Sequence, residues 1–203
     1  MDLILAASNG NLDKVQKFIA DGIDVNFLDI YCQTALLYAS RNNHLEIVHF
    51  LIKSGANCNI INYYGTSALD FAVMYGNQSV IQVLVQNGIK INTDHNPILN
   101  LAVTYGRFDV IKYLVHNGAN IHVVDCTGAT AKMVASKNNY TRIVQFLTHV
   151  EIVDITIALS PLELSPYVLL WIVQWVTQIK DCEQLRVLRL IEGIQRSRSL
   201  LKN

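Results

Sequence analysis

Apolar residues over the first three-quarters of the chain come in short bursts at helical spacing, separated by polar turns. TALLYASRN (34–42) and SALDFAVMY (67–75) place apolar side chains at i, i+3 and i+4, each opened by a capping hydroxyl, Thr34 or Ser67. LEIVHFLIK (45–53) and QSVIQVLVQ (78–86) follow as second amphipathic helices, ending at Gly55 and Gly88. Pro97 holds the position of Ser67, at a helix start, where its missing N–H costs nothing. The pattern predicts a unit of helix, turn, helix and extended finger.

That unit recurs. Gly22, Gly55, Gly88 and Gly118 are separated by 33, 33 and 30 residues. An alanine series (Ala6, Ala39, Ala72, Ala102, Ala135) and a turn series (Gly10, Asn43, Gly76, Gly106, Asn139) run in parallel. Glycine and asparagine suit those turns because both tolerate positive φ. Self-similarity at this period signals stacked repeats rather than a closed globule. The spacing predicts five units, roughly 1–31, 32–64, 65–94, 95–127 and 128–150, followed by a C-terminal helical cap or extension over 151–203.

Composition narrows the classes of function. With 51% hydrophobic residues in 203 there is material for a core. Sixteen basic residues balance 16 acidic ones, so no global field favours nucleic acid or anionic lipid. Cys32, Cys58, Cys126 and Cys182 are scattered, with no CxxC pair, and are expected to be buried thiols. MDLILAASNGNLDK lacks a basic n-region, and the apolar run 166–176 is too short to span a bilayer. A cytoplasmic location, or a nuclear one, is expected. No histidine sits beside a nucleophile or carboxylate in a recurring setting, and nine of the ten glycines are taken by the repeat. The expectation is therefore no enzyme, no cofactor and no metal, with no small-molecule, nucleic-acid or membrane partner.

The tetrads TALL (34–37), SALD (67–70), PILN (97–100) and TAKM (130–133) resemble the ankyrin-repeat family. The run LEIVHFLIKSGANCN (45–59) and the finger residues Asp29, Asn62 and Asp125 are similar to that family too. The resemblance implies an all-α ankyrin-repeat solenoid of helix-turn-helix units with β-hairpin fingers, plus a C-terminal helical pair. It also implies a non-catalytic module that binds another protein on a concave face made by finger tips and first helices. Carried over by position, the tips are Ile30, Tyr31, Gln33, Tyr63, Tyr64, Thr66, Cys126 and Thr127. The helix positions are Arg41, Asn42, Met74, Tyr75, Thr104, Tyr105, Lys137 and Asn138. Tyr63, Tyr64, Met74, Tyr75 and Tyr105 form the centre, since Tyr and Met suit interface cores. The resemblance further implies a structural hydrogen bond from His44. It makes Asn26, Asn59 and Asn92 candidate hydroxylation sites whose default role is hydrogen bonding within the hairpin.

The sequence departs from the repeat in two places. The finger between the third and fourth units is three residues short, with Thr93-Asp94-His95 where Ile60 to Gly65 stand earlier. Lys132 replaces Leu36, Leu69 and Leu99, and its ammonium is expected to seek water and loosen the stack there. Beyond the repeats, LSPYVLLWIVQWV (164–176) predicts an apolar helix with Trp171 and Trp175 together on one side. This segment, with a second helix from Asp181, is expected either to cap the last unit or to serve as a second partner surface. Leu164, Pro166, Leu169, Leu170, Ile172 and Val176 are loosely similar to F-box-like segments of viral ankyrin proteins, which would make the chain an adaptor recruiting ubiquitin-ligase machinery. A structural subunit of a larger assembly is the remaining alternative.

Overall fold

The computed structural model describes residues 2–93 and 97–159. Ten helices follow one another in pairs among them: α1 (Asp2–Ser8) and α2 (Leu12–Ala20), α3 (Ala35–Arg41) and α4 (Leu45–Lys53), α5 (Ala68–Tyr75) and α6 (Gln78–Gln86), α7 (Ile98–Thr104) and α8 (Phe108–His116), α9 (Ala131–Lys137) and α10 (Thr141–Leu159). The helices expected from periodicity over 34–53 and 67–86 stand within one residue of their predicted bounds. Trp171, Trp175 and the whole tail from residue 160, with its F-box-like match, lie outside the described residues.

Each pair turns by the same backbone device. The residue after the turn donates its N–H to the alanine carbonyl five positions back: Asn11 to Ala6 at 2.9 Å, His44 to Ala39 at 2.9 Å, Asn77 to Ala72 at 2.8 Å, Arg107 to Ala102 at 2.9 Å and Tyr140 to Ala135 at 2.9 Å. The bond requires a left-handed residue between helix and donor. Gly10, Gly76 and Gly106 supply it, and Asn43 and Asn139 hold φ of 61° and 59°. Second helices in the first four pairs stop the same way, with Gly22, Gly55, Gly88 or Gly118 at positive φ.

The chain divides into two compact units, one ending at Asp125 and one beginning at Cys126. In the first unit α1, α3, α5 and α7 pack side by side in chain order, and α2, α4 and α6 form a second row behind them. Ala6, Ala39, Ala72 and Ala102 are buried in the first row, where a single methyl lets helices approach closely. Leu36, Leu37, Leu69, Val48, Leu51, Ile81 and Leu84 are buried with them. Polar bonds tie one pair to the next at the helix ends. His44 Nε2 lies 3.0 Å from the Ser8 carbonyl, and Asn77 Nδ2 donates to the Ser40 and Arg41 carbonyls at 2.7 and 3.1 Å. These capture carbonyls that a short helix leaves unsatisfied at its C-terminus.

The fingers differ from the β-hairpins expected. Among the described residues there is no strand, only an isolated antiparallel bridge between Ile61 and Ser67. The tips are too tight for a ladder, because Asp29 and Asn62 draw the chain round onto their own side chains. The thiols also depart from expectation. Cys58 is buried, but Cys32 and Cys126 are exposed, since both stand in finger tips.

In the second unit α9 packs against α10. Here Lys132 does not reach for water. Its ammonium lies 2.7 Å from Glu151 Oε2, with the two side chains 12% and 10% exposed. Glu151 stands 33 residues after Gly118, where the other units place their stop glycine. Without that glycine α10 runs on through Val150 to Leu159, and the Glu151 that stands in its place answers Lys132. Replacing Lys132 by Met should cost about 3 kcal/mol, because a buried carboxylate is left uncompensated, whereas Lys132→Met with Glu151→Leu should recover most of it. Urea unfolding of the full chain measures both. Equal losses in the two variants would show that the pair is not coupled.

Candidate partner-binding face

Finger one is built on Asp29. Its Oδ1 accepts from the backbone N–H of Tyr31 and of Gln33, both at 2.8 Å. Finger two repeats the geometry with Asn62, whose Oδ1 accepts from Tyr64 and Thr66 at 3.0 and 2.9 Å. Folding the backbone round an internal acceptor turns the tip side chains outward. Ile30 is 80% exposed, Tyr63 77% and Tyr64 72%. The two fingers are joined backbone to backbone, Tyr63 N–H donating to the Tyr31 carbonyl at 2.9 Å. The Tyr63 and Tyr64 rings meet edge to face, 5.5 Å between centroids.

On the helix side, Arg41 closes α3 and its guanidinium lies over the rings of Phe71 and Tyr75, 5.8 and 5.6 Å from their centroids. Tyr75 and Tyr105, at the ends of α5 and α7, each keep close to half their surface exposed. Met74 and Thr66 are half-buried. Exposed aromatic surface from both fingers and successive helix ends thus accompanies the first helices of this unit.

Gln33, expected at a finger tip of that face, is buried instead. It is 8% exposed, with Nε2 donating to the Tyr38 hydroxyl at 3.3 Å, and that hydroxyl donates to Asp29 Oδ2 at 3.0 Å. Burial and then the Asp29 bond raise the Tyr38 pKa above its ordinary value. The network holds finger one against α3. Tyr38, Phe71 and Arg107 were not singled out in the sequence. Tyr38 had a signal: it is one helical turn beyond the cap Thr34, on the finger's side of α3.

Asn26, Asn59 and Asn92 also differ from expectation. Their amides bridge between units instead of bonding within one hairpin. Each Oδ1 accepts a backbone N–H from the next unit's loop: Asn57 at 2.8 Å, Lys90 at 2.9 Å and Asn120 at 2.8 Å. Asn92 Nδ2 also donates to the Gly118 carbonyl at 2.9 Å. The shortened third finger falls across 94–96, outside the described residues. A cleft of about 250 Å³ is lined by Asn59, Ile61, Ser67, Ile89, Lys90, Asn92 and Thr93. Among the described residues no three His, Cys, Asp or Glu side chains converge, and no helix is long and apolar enough to cross a membrane.

A family model described as ankyrin repeats (3 copies) matches the chain twice, over residues 3–95 and 92–158. Comparison with curated proteins found no match.

Removing the Tyr38 hydroxyl tests the finger support. Tyr38→Phe should cost about 1 kcal/mol at neutral pH. A raised folded pKa means the hydroxyl's contribution is complete below its unfolded value of 10.0 and fades as pH climbs through the folded one. The stability gap between the two proteins, followed by chemical unfolding, should therefore close above that pH. A constant gap would remove the ionisable hydroxyl from the account.

Proposed function

The chain belongs to the ankyrin-repeat family, and from that premise we propose that it is a non-catalytic protein-binding module whose partner lies along the fingers and first-helix ends of residues 2–125. Repeats of this family are in general protein-interaction modules. The observation that supports this face is the aromatic row. Tyr31, Tyr63, Tyr64, Tyr75 and Tyr105 are all exposed and come from successive units, although most large apolar side chains among the described residues are not exposed. Tyrosine supplies large apolar area with a polar tip, and such residues dominate the binding energy of interfaces when a partner excludes water from them.

The framework and the surface are separable here. Tyr63 and Tyr64 hang on the Asn62 turn, which is formed by backbone and one amide, so changing either ring leaves the turn intact. Tyr64→Ala together with Tyr75→Ala should weaken the native partner by about 2 kcal/mol or more. The partner, isolated by affinity from the source cell on the full chain, can be titrated against both proteins by calorimetry. Unchanged affinity in a double variant with native circular dichroism would exclude this face.

A further inference from the structure

Three of the repeat glycines follow an asparagine: Asn9-Gly10, Asn87-Gly88 and Asn117-Gly118. An asparagine before glycine is prone to close on itself, because no side chain on the glycine hinders its amide nitrogen from reaching the asparagine Cγ. All three asparagines are exposed. All three glycines hold left-handed φ, at 73°, 78° and 86°. The sequence does not rank the three sites, but their hydrogen bonds do.

Asn87 Nδ2 donates to the Val83 carbonyl at 2.7 Å, and Asn117 Nδ2 to the Tyr113 carbonyl at 2.8 Å. Each bond ties the amide back to its own helix. The following glycine amides are held too, Gly88 donating to Val85 and Gly118 to Val115, both at 3.1 Å. At Asn9 both restraints slacken. Its side-chain amide has no hydrogen-bond partner among the described residues, and Gly10 N–H reaches the Ala7 carbonyl only at 3.4 Å. Asn9 instead lines an open cleft of about 400 Å³, together with Leu5 of α1 and Lys14 and Lys17 of α2, where water has access.

We propose that Asn9-Gly10 is a site of spontaneous deamidation whose product loosens the first helix pair from the second. Gly10 N, giving its proton to solvent, bonds to Asn9 Cγ while the Cγ–Nδ2 bond breaks and ammonia leaves. Water then opens the cyclic imide. Opening at Cγ gives aspartate; opening at the main-chain carbonyl gives isoaspartate, whose backbone runs through Cβ and Cγ. Both products add a negative charge, and isoaspartate also lengthens the main chain. The contacts around this turn leave little room for that. The Ser8 carbonyl, one residue back, accepts from Asn42 Nδ2 at 2.8 Å and lies 3.0 Å from His44 Nε2. The His44 ring covers Gly10 so closely that a Cβ built there would start 2.7 Å from it. These contacts join the end of α1 to the turn between α3 and α4, and a longer main chain displaces them.

The test is to age the full chain at mildly alkaline pH and follow each site by peptide mapping with mass spectrometry, beside a parallel sample in urea. Unfolded, the three dipeptides should react at similar rates. Folded, Asn9 should outpace Asn87 and Asn117 at least about fivefold, the factor that one retained hydrogen bond of ordinary strength imposes. The isoaspartyl form, separated by ion exchange, should lose backbone exchange protection in α1 and α2 while keeping it in α5 and α6. Asn9→Gln, aged alike, should keep both. A folded rate at Asn9 no greater than at the other two sites overturns the proposal. So does an equal lead of Asn9 in urea, which would assign the effect to sequence, or an isoaspartyl protein whose α1 is protected as before.

Discussion

A helix of seven residues followed by one of nine cannot stand alone in water, because the cost of nucleating each is spread over too few hydrogen bonds. What makes such pairs persist is burial of one first helix against the next, from α1 through α7, and everything else in the first unit serves that contact. Alanine does double duty in it. The methyl of Ala39 or Ala72 is small enough to let neighbouring helices close in, and the carbonyl of the same residue receives the N–H that reverses the chain. Pairing side-chain size with backbone reversal at one position explains why glycine or asparagine follows each alanine at a fixed interval.

Once pairs are stacked, polar groups at their ends find partners in the next pair. Asn77 reaches the α3 carbonyls, His44 the α1 carbonyl, and the finger amides Asn26, Asn59 and Asn92 the loop of the following unit. Each bond contributes modestly, but leaving its buried partner unsatisfied costs more. Because backbone and short polar side chains carry the framework, large side chains at the finger tips are released from structural duty. Tyr63 and Tyr64 project from a turn that holds its shape without them. A surface that can vary without disturbing its support suits a binding module.

The helices, their caps and their turns were legible because each depends on local spacing: Thr34 and Ser67 cap as read, and the glycine series marks stops. What escaped was contact across units. Gln33 looked like a tip residue by position, yet Tyr38, five residues on, draws it inward. Asn26, Asn59 and Asn92 were assigned to their own hairpins, whereas their acceptors serve a loop some thirty residues away. Lys132 read as a loosening of the stack because its counter-ion Glu151 occupies a place where glycine was the rule. Sequence periodicity reports what each unit repeats and is silent about how an exception in one helix is matched by an exception in another.

The central claim is that stacked helix pairs present their fingers and first-helix ends to a protein. Backbone hydrogen exchange of the full chain, with and without its isolated partner, tests it most directly. The account predicts slowed exchange at 29–33, 62–66 and the ends of α3, α5 and α7, with the outer faces of α2, α4 and α6 unchanged. Protection concentrated on those outer helices, with the fingers unaffected, would contradict it.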